Sequence, residues 1–334
     1  MNDKWIACEL HTHTIHSDGQ LTLTELAKKA KVFGLRCIAL TDHNTISGHS
    51  EIQKAQEISG IDIVHGLEWT TFYGHMVAMG ITEYVDWRDK GPGDIHKGIE
   101  EVHGKGGLVG IAHPYRFGSP MCTGCHWQFD IQDWEDVDYI EVWSEYFPPI
   151  DPVNKRAFKL WTDLLNAGYK ITAVSGRDWH GDDGGKVAVT YLYNSYSSHD
   201  FFDNRVVDAL SHHRASVTMG PFLDIKAGMA GSSFMIGDTI SIYNDTLSIY
   251  IDMDFSVRQG KWALDKRPIT ITLNSNMGVL YSYSFDKTEQ CMKIEAHIAT
   301  KGVKWVRGEL YGSMYDMHTM LAFTNPLFFD LKSN

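Results

Sequence analysis

Three observations predict an α/β chain whose mostly parallel sheet closes into a barrel and is followed by an antiparallel β region. Apolar strands alternate with helical patterns as far as residue 219. Histidines and acids recur just past the ends of those strands, where α/β barrels carry their chemistry. After Gly220-Pro221 the helical signals fade and apolar and polar residues alternate. The expected division is therefore 1–219 for the barrel and 220–334 for a sandwich-like β domain, joined without a low-complexity linker.

Trp5 to Cys8 reads as a strand running into His11-Thr-His13. Side chains two apart on a strand share a face, so these two imidazoles stand side by side. Asp18 returns on the Ser-Asp-Gly turn. Thr22-Leu-Thr-Glu25 is a capping box for a helix ending near Gly34. Residues 36–40 form a strand ending at Thr41-Asp42-His43, and residues 47–59 a helix. Strands at 61–67 and 74–80 carry Glu68 and His75. A helix at 94–105 leads to a strand at 107–112 that reaches His113-Pro114. A strand at 139–143, a helix at 154–167 and a strand at 170–175 lead to Gly176-Arg-Asp-Trp-His180. A strand at 187–193, a helix at 200–212 and a strand at 216–219 complete this half. Beyond it, strands are expected at 238–242, 247–252, 269–273, 279–285, 292–299 and 304–311.

Composition narrows the function. Forty-two acids against 30 lysines and arginines give a net charge of −12, which argues against a broad grip on duplex nucleic acid. A small anionic substrate stays open, because bound cations reverse a local field. No stretch has the run of about 20 apolar residues that spans a membrane. The N-terminal residues lack the pattern of a signal peptide, so cytoplasmic residence is expected. Five scattered cysteines do not resemble a disulfide framework. Cys122-Thr-Gly-Cys125-His126 matches the haem-attachment pattern, but that modification needs export, and a loop with incidental thiols is the better reading.

His11, His43, Glu68, His113 and Asp178 each fall at a strand end, and Asp178-Trp-His180 repeats the spacing of His11-Thr-His13. Imidazole with carboxylate suits zinc, manganese or iron better than calcium or magnesium. Taken in order, these motifs resemble the PHP (polymerase and histidinol phosphatase) metallohydrolase family. The segment Glu68 to His75, with the helix ending at Gly168 and Ala322-Phe-Thr-Asn-Pro326, is similar to the branch that includes carbaryl hydrolase.

That resemblance implies a distorted seven-stranded barrel and two or three divalent transition metal ions. It implies that His11, His13, Glu68 and Asp178 hold one ion, that Glu68 bridges to a second held by His75 and His113, and that Asp18, His43 and His180 hold a third. His75 is preferred to His65, His96 and His103, which read as surface or packing residues, because it lies close to Glu68 in a Gly-His setting. His16 reads as a neighbour of the site. Three divalent ions against three carboxylates and a bridging hydroxide leave a cationic pocket in an acidic protein. Glu68, Asp178 and His180 are the expected catalytic residues.

The branch usually has a small residue where this chain has Arg177. A guanidinium there suits a phosphate, as does one at Arg116; the bland alternative pairs Arg177 with Asp182 or Asp183. The leading expectation is a metal-dependent phosphoesterase acting on a small phosphomonoester or nucleotide. A carboxylester or carbamate hydrolase with the same centre comes second. A binding module that keeps its metals for structure comes third, and it fits poorly with so complete a set of ligands.

Overall fold

The computed structural model describes residues 4–118, 124, 126–182, 186–195, 202–229, 231–242, 246–287 and 289–331. Cys122, Cys125 and Asp183 lie outside them. The first half reads β1 (Trp5–Glu9), α1 (Leu23–Val32), β2 (Cys37–Leu40), α2 (Ile52–Ser59), β3 (Asp62–Thr71), β4 (Gly74–Met79), α3 (Ile95–Gly104), β5 (Leu108–Ala112), β6 (Tyr139–Ser144), α4 (Pro152–Ala167), β7 (Thr172–Gly176), β8 (Val189–Tyr193), α5 (Phe202–Ser211) and β9 (Ala215–Thr218). The expected capping box is formed: Thr22 Oγ1 accepts from Glu25 N at 3.3 Å, and the Glu25 carboxylate accepts from Thr22 N at 2.9 Å.

β1 to β7 lie side by side in chain order. β1, β2 and β3 pair in parallel, as do β5, β6 and β7. β4 is antiparallel to both of its neighbours, and this reversal matters for the site below. The two ends of the row meet through the residues that follow β1 and β7. Thr12 bridges Trp179 in the parallel sense, with His13 N donating to Trp179 O at 2.9 Å and Trp179 N to His11 O at 3.1 Å. β8 pairs antiparallel with the other edge of β1 and meets β7 through side chains, Ser175 N donating to Thr190 Oγ1 at 2.9 Å.

The second half is β-rich: β10 (Phe222–Met229), β11 (Ser232–Met235), β12 (Thr239–Ile242), β13 (Thr246–Asp254), β14 (Ile269–Ser275), β15 (Gly278–Phe285), β16 (Cys291–Ala299), β17 (Trp305–Met314), β18 (Met317–Thr324) and β19 (Leu327–Leu331). Of these, β10, β11, β18 and β19 go beyond the sequence expectation. β11, β10, β13 and β16 make a four-stranded sheet. Ile225, Ile249, Ile251, Ile271, Leu273 and Leu310 share one buried core with residues of α1, α2 and β1.

The ladder does not break where the sequence texture changes, because β9 pairs with β18. Asn325 ties the halves further. Its buried side chain accepts from Ala173 N at 2.8 Å and donates to Ala173 O at 2.8 Å and Ala215 O at 2.9 Å. One side-chain amide thus bonds backbone groups of both β7 and β9. Among the described residues, no helix is long and apolar enough to cross a membrane.

Candidate metal centre

The site begins where β1 stops. Thr12 points inward and anchors the segment, its Oγ1 donating to Ala39 O at 2.6 Å and its N–H to Thr41 Oγ1 at 3.0 Å. His11 and His13, on either side of it, project together. Asp42 then folds the following loop, accepting from Thr14 N and Thr14 Oγ1 at 2.7 Å each and from Ser17 Oγ at 2.6 Å. The turn needs glycine at 19, because a Cβ there would fall 2.5 Å from the His13 carbonyl carbon. This loop brings Asp18 back over His43 and His180.

The parallel strands deliver His43, Glu68, His113, Asp178 and His180 to the same edge. β4 runs the other way, so its beginning, not its end, lies there. His75 is its second residue and pairs with Ala112 in register, which is how it joins ligands from strand C-termini. His113 and Asp178 have positive φ values of 27° and 55°, a conformation that costs non-glycine residues energy and persists where the surroundings enforce it.

All nine expected ligands converge. Glu68 is fully buried at their centre. Its Oε1 lies 2.9 Å from His75 Nδ1, 3.4 Å from His11 Nε2 and 3.5 Å from His113 Nε2. Its Oε2 lies 2.6 Å from His43 Nδ1 and 3.6 Å from His13 Nε2. Asp178 Oδ1 is 2.9 Å from His13 Nε2 and 3.3 Å from His11 Nε2. Asp18 Oδ1 is 3.0 Å from His180 Nε2 and 3.3 Å from His43 Nε2. These atoms form overlapping groups compact enough to hold an ion: His11, His13 and Asp178; Glu68, His75 and His113; His13, Asp18, His43 and His180.

The donor atoms fit metals on a second ground. His11 Nε2, both ring nitrogens of His13, His113 Nε2 and Asp178 Oδ1 are buried without a hydrogen bond. Buried polar atoms are normally paired; several orphans facing one another suit shared cations. The electrostatics agree. Burial opposes the charge of His43, but Glu68 and Asp18 push its pKa up to about 10. Burial pushes His13, stacked 4.1 Å from His43, down to about 4. Burial also opposes ionisation of Glu68, yet the surrounding imidazoles hold its carboxyl well below the usual range. Without metal, protons on some imidazoles therefore balance the carboxylates.

Above these groups is a cavity of about 940 Å³, walled partly by Phe72, Trp87, Phe117 and Tyr146. Phe72 and Phe117 are 55% and 53% exposed. Arg177 and Arg116 both reach it. Asp182 pairs with Lys29 at 2.5 Å. The Arg177 guanidinium lies 4.1 Å from the Trp179 ring centre and faces Phe33 and Tyr146; the expected alternative of a pairing with Asp183 lies outside the described residues. Arg116 is held at the cavity by Glu145 at 2.9 Å and Asp151 at 3.1 Å.

Histidines set aside in the sequence stay outside the cluster: His65 pairs with Asp203 at 2.7 Å, His103 with Asp138 at 2.8 Å, and His16 contacts Ser47 and Glu51. Sequence reasoning missed Glu141, 2.8 Å from His11 Nδ1, and Thr70, which contacts both His43 and Glu68. Thr70 was findable, since it sits two residues after Glu68 on the same strand face.

Fold and ligand constellation together define the class, an α/β protein with a candidate multinuclear metal centre. The chain belongs to the PHP domain family, whose model matches residues 9–105. It is 31% identical over 156 residues to an uncharacterized protein of Methanocaldococcus jannaschii, covering 41% of this chain and 81% of that one. It is 36% identical over 77 residues to the 3',5'-nucleoside bisphosphate phosphatase of Chromobacterium violaceum, covering 22% of this chain and 27% of the phosphatase. Across nearly its whole length it is similar to a two-domain protein of Bacteroides vulgatus containing a predicted PHP-like metal-dependent phosphoesterase. The TM-score is 0.52 with 15% identity, covering 97% of this chain and 95% of that one. At that identity the likeness shows the shared fold alone.

Proposed function

We propose that the chain is a phosphoesterase that hydrolyses a small phosphomonoester or nucleotide with two or three zinc, manganese or iron ions. The observation that carries this is the buried Glu68 carboxylate, whose two oxygens face separate sets of imidazoles. His11, His13, Glu68 and Asp178 would hold one ion, Glu68, His75 and His113 a second, and Asp18, His43 and His180 a third. Such ions lower the pKa of bound water toward 7 and polarise a substrate oxygen. Arg177, caged by aromatic rings, adds a fixed positive charge at the cavity wall. Phe72, Phe117 and Tyr146 offer apolar surface to the remainder of the substrate, and the open cavity leaves room for a ring system. The division at 219/220 belongs to this proposal: residues 1–219 act as a PHP barrel carrying every ligand, and the β domain supports it through contacts such as Asn325.

A second reading, hydrolysis of an aryl carboxylester or carbamate as in the carbaryl hydrolase branch, draws support from Arg116. Its guanidinium is already occupied by Glu145 and Asp151, as a neutral substrate would permit. Manganese-loaded protein assayed on p-nitrophenyl phosphate, a nucleoside monophosphate, bis(p-nitrophenyl) phosphate and p-nitrophenyl acetate decides between the two. The monoesters should show the highest kcat/KM. Faster turnover of the acetate would reverse the order of the readings.

A further inference from the structure

We infer that Glu141 is a positioning residue that serves two neighbouring metal sites at once, by fixing the ring of His11 and the backbone of His113. The inference rests on the metal-centre reading above. Glu141 is the third residue of β6, in a strand that is buried throughout, and none of its own surface is exposed. Its two oxygens are divided between two strands. Oε1 accepts from His11 Nδ1 at 2.8 Å, and Oε2 accepts from His113 N at 3.2 Å. Among the described residues, no lysine or arginine lies within ion-pair distance of it.

Glu141 with His11 and His113 is itself compact enough to hold an ion, but the orientation of the His11 ring favours positioning over ligation. Glu141 meets His11 on the Nδ1 side, whereas His11 Nε2 faces Glu68 and Asp178 at 3.4 and 3.3 Å. A proton on Nδ1 leaves the Nε2 lone pair for a cation, and a carboxylate behind the ring makes that nitrogen a stronger donor. The second bond acts on His113, whose φ of 27° is strained for a side-chain-bearing residue. Holding its N–H helps aim His113 Nε2 at Glu68 Oε1, 3.5 Å away. The chain also keeps space for this carboxylate. A Cβ at Gly176 would lie 2.3 Å from Glu141 Oε1 and 2.8 Å from His11 Cβ. One buried carboxylate thus registers β6 against the ends of both β1 and β5.

The test is zinc affinity and stoichiometry, read by chelator competition and elemental analysis on folded wild-type, Glu141→Ala and Glu141→Gln proteins. Glu141→Ala should weaken zinc binding about 10- to 100-fold, the range expected for loss of such a partner, with two ions per chain affected. Glu141→Gln keeps an oxygen that accepts from Nδ1–H but loses the carboxylate charge, so its affinity should lie between those of the wild type and the alanine variant, with unchanged stoichiometry. Wild-type affinity in the folded alanine variant would overturn the proposal. So would a glutamine variant that has lost one ion outright, since that would make Glu141 a ligand. If Glu141→Ala does not fold, the glutamine variant decides: intermediate affinity with full stoichiometry supports the proposal, and unchanged affinity or a lost ion overturns it. Wild-type protein that binds no zinc would remove the metal-centre reading, and this proposal with it.

Discussion

The two ends of the ligand cluster are built from the same residue types but differ in depth. At the deep end, His11, His13 and Glu68 are fully buried. At the rim, the side chains of His43, His180 and Asp18 are 20%, 32% and 62% exposed. The deep ligands are clamped by backbone pairing between the ends of β1 and β7, whereas Asp18 is delivered by a loop folded on Asp42. Coordination chemistry alone therefore does not set affinity here. Ligands held rigidly and out of water should bind tightly and exchange slowly, and those on a solvated loop should bind loosely.

The largest effect should come from the residue shared by both ends. Glu68→Ala removes oxygens facing His11, His75 and His113 on one side and His43 on the other. We expect kcat/KM to fall on the order of 10³-fold or more, with circular dichroism showing a retained fold. A variant with a tenth of normal activity would mean that the two ends do not work as a unit.

Next is Arg177, which stands beside Asp178. Arg177→Ala should slow a phosphomonoester about 10²-fold, roughly 3 kcal/mol of transition-state stabilisation. A neutral aryl ester should be much less affected. Equal losses would make the aromatic cage around Arg177 a packing device.

The rim should then be separable. Asp18→Ala or His43→Ala should lower metal content by about one ion and leave the deep ligands loaded, as read by elemental analysis. Loss of all metal would show one cooperative site instead of a graded one.

The smallest effect is a pH dependence. His43 is raised to about 10 in the metal-free protein, so its charged contacts add stability that is fully present below the unfolded value near 6.5. That stability is lost as pH rises through about 10. His13, lowered to about 4, works the other way and costs stability as pH falls from about 6.5 toward 4. A metal that binds His43 must displace its proton, so rim affinity should rise up to about tenfold per pH unit below about 10. Calorimetry in buffers of different ionisation enthalpy should detect the released proton. Binding without proton release would show that His43 is not a ligand.

Much of this was legible because strands punctuate sequence so clearly. His11-Thr-His13 and Asp178-Trp-His180 announce themselves by a spacing of two, and Thr22 to Glu25 by its cap. β4 was legible as a strand but not as an antiparallel one, so the reason His75 reaches the site was hidden. β10 could have been read from Leu223, Ile225 and Ala227 alternating with polar neighbours. β18 could not, because Leu321, Ala322 and Phe323 are buried in succession and blur the period. Glu141 was invisible for a different reason. Its role depends on an imidazole 130 residues away, and within Tyr-Ile-Glu-Val-Trp it reads as an isolated acid in an apolar strand. Arg177 was legible as a charge but not as a caged one, since Phe33 and Tyr146 come from distant loops.

The most direct test of a multinuclear centre graded from core to rim is stepwise metal removal from zinc-reconstituted protein, followed by elemental analysis at increasing chelator concentration. Two to three equivalents are expected at the start, one of them leaving at low chelator and the rest at much higher concentration. Less than one equivalent after reconstitution, or a single step removing every ion together, would contradict a graded multinuclear centre.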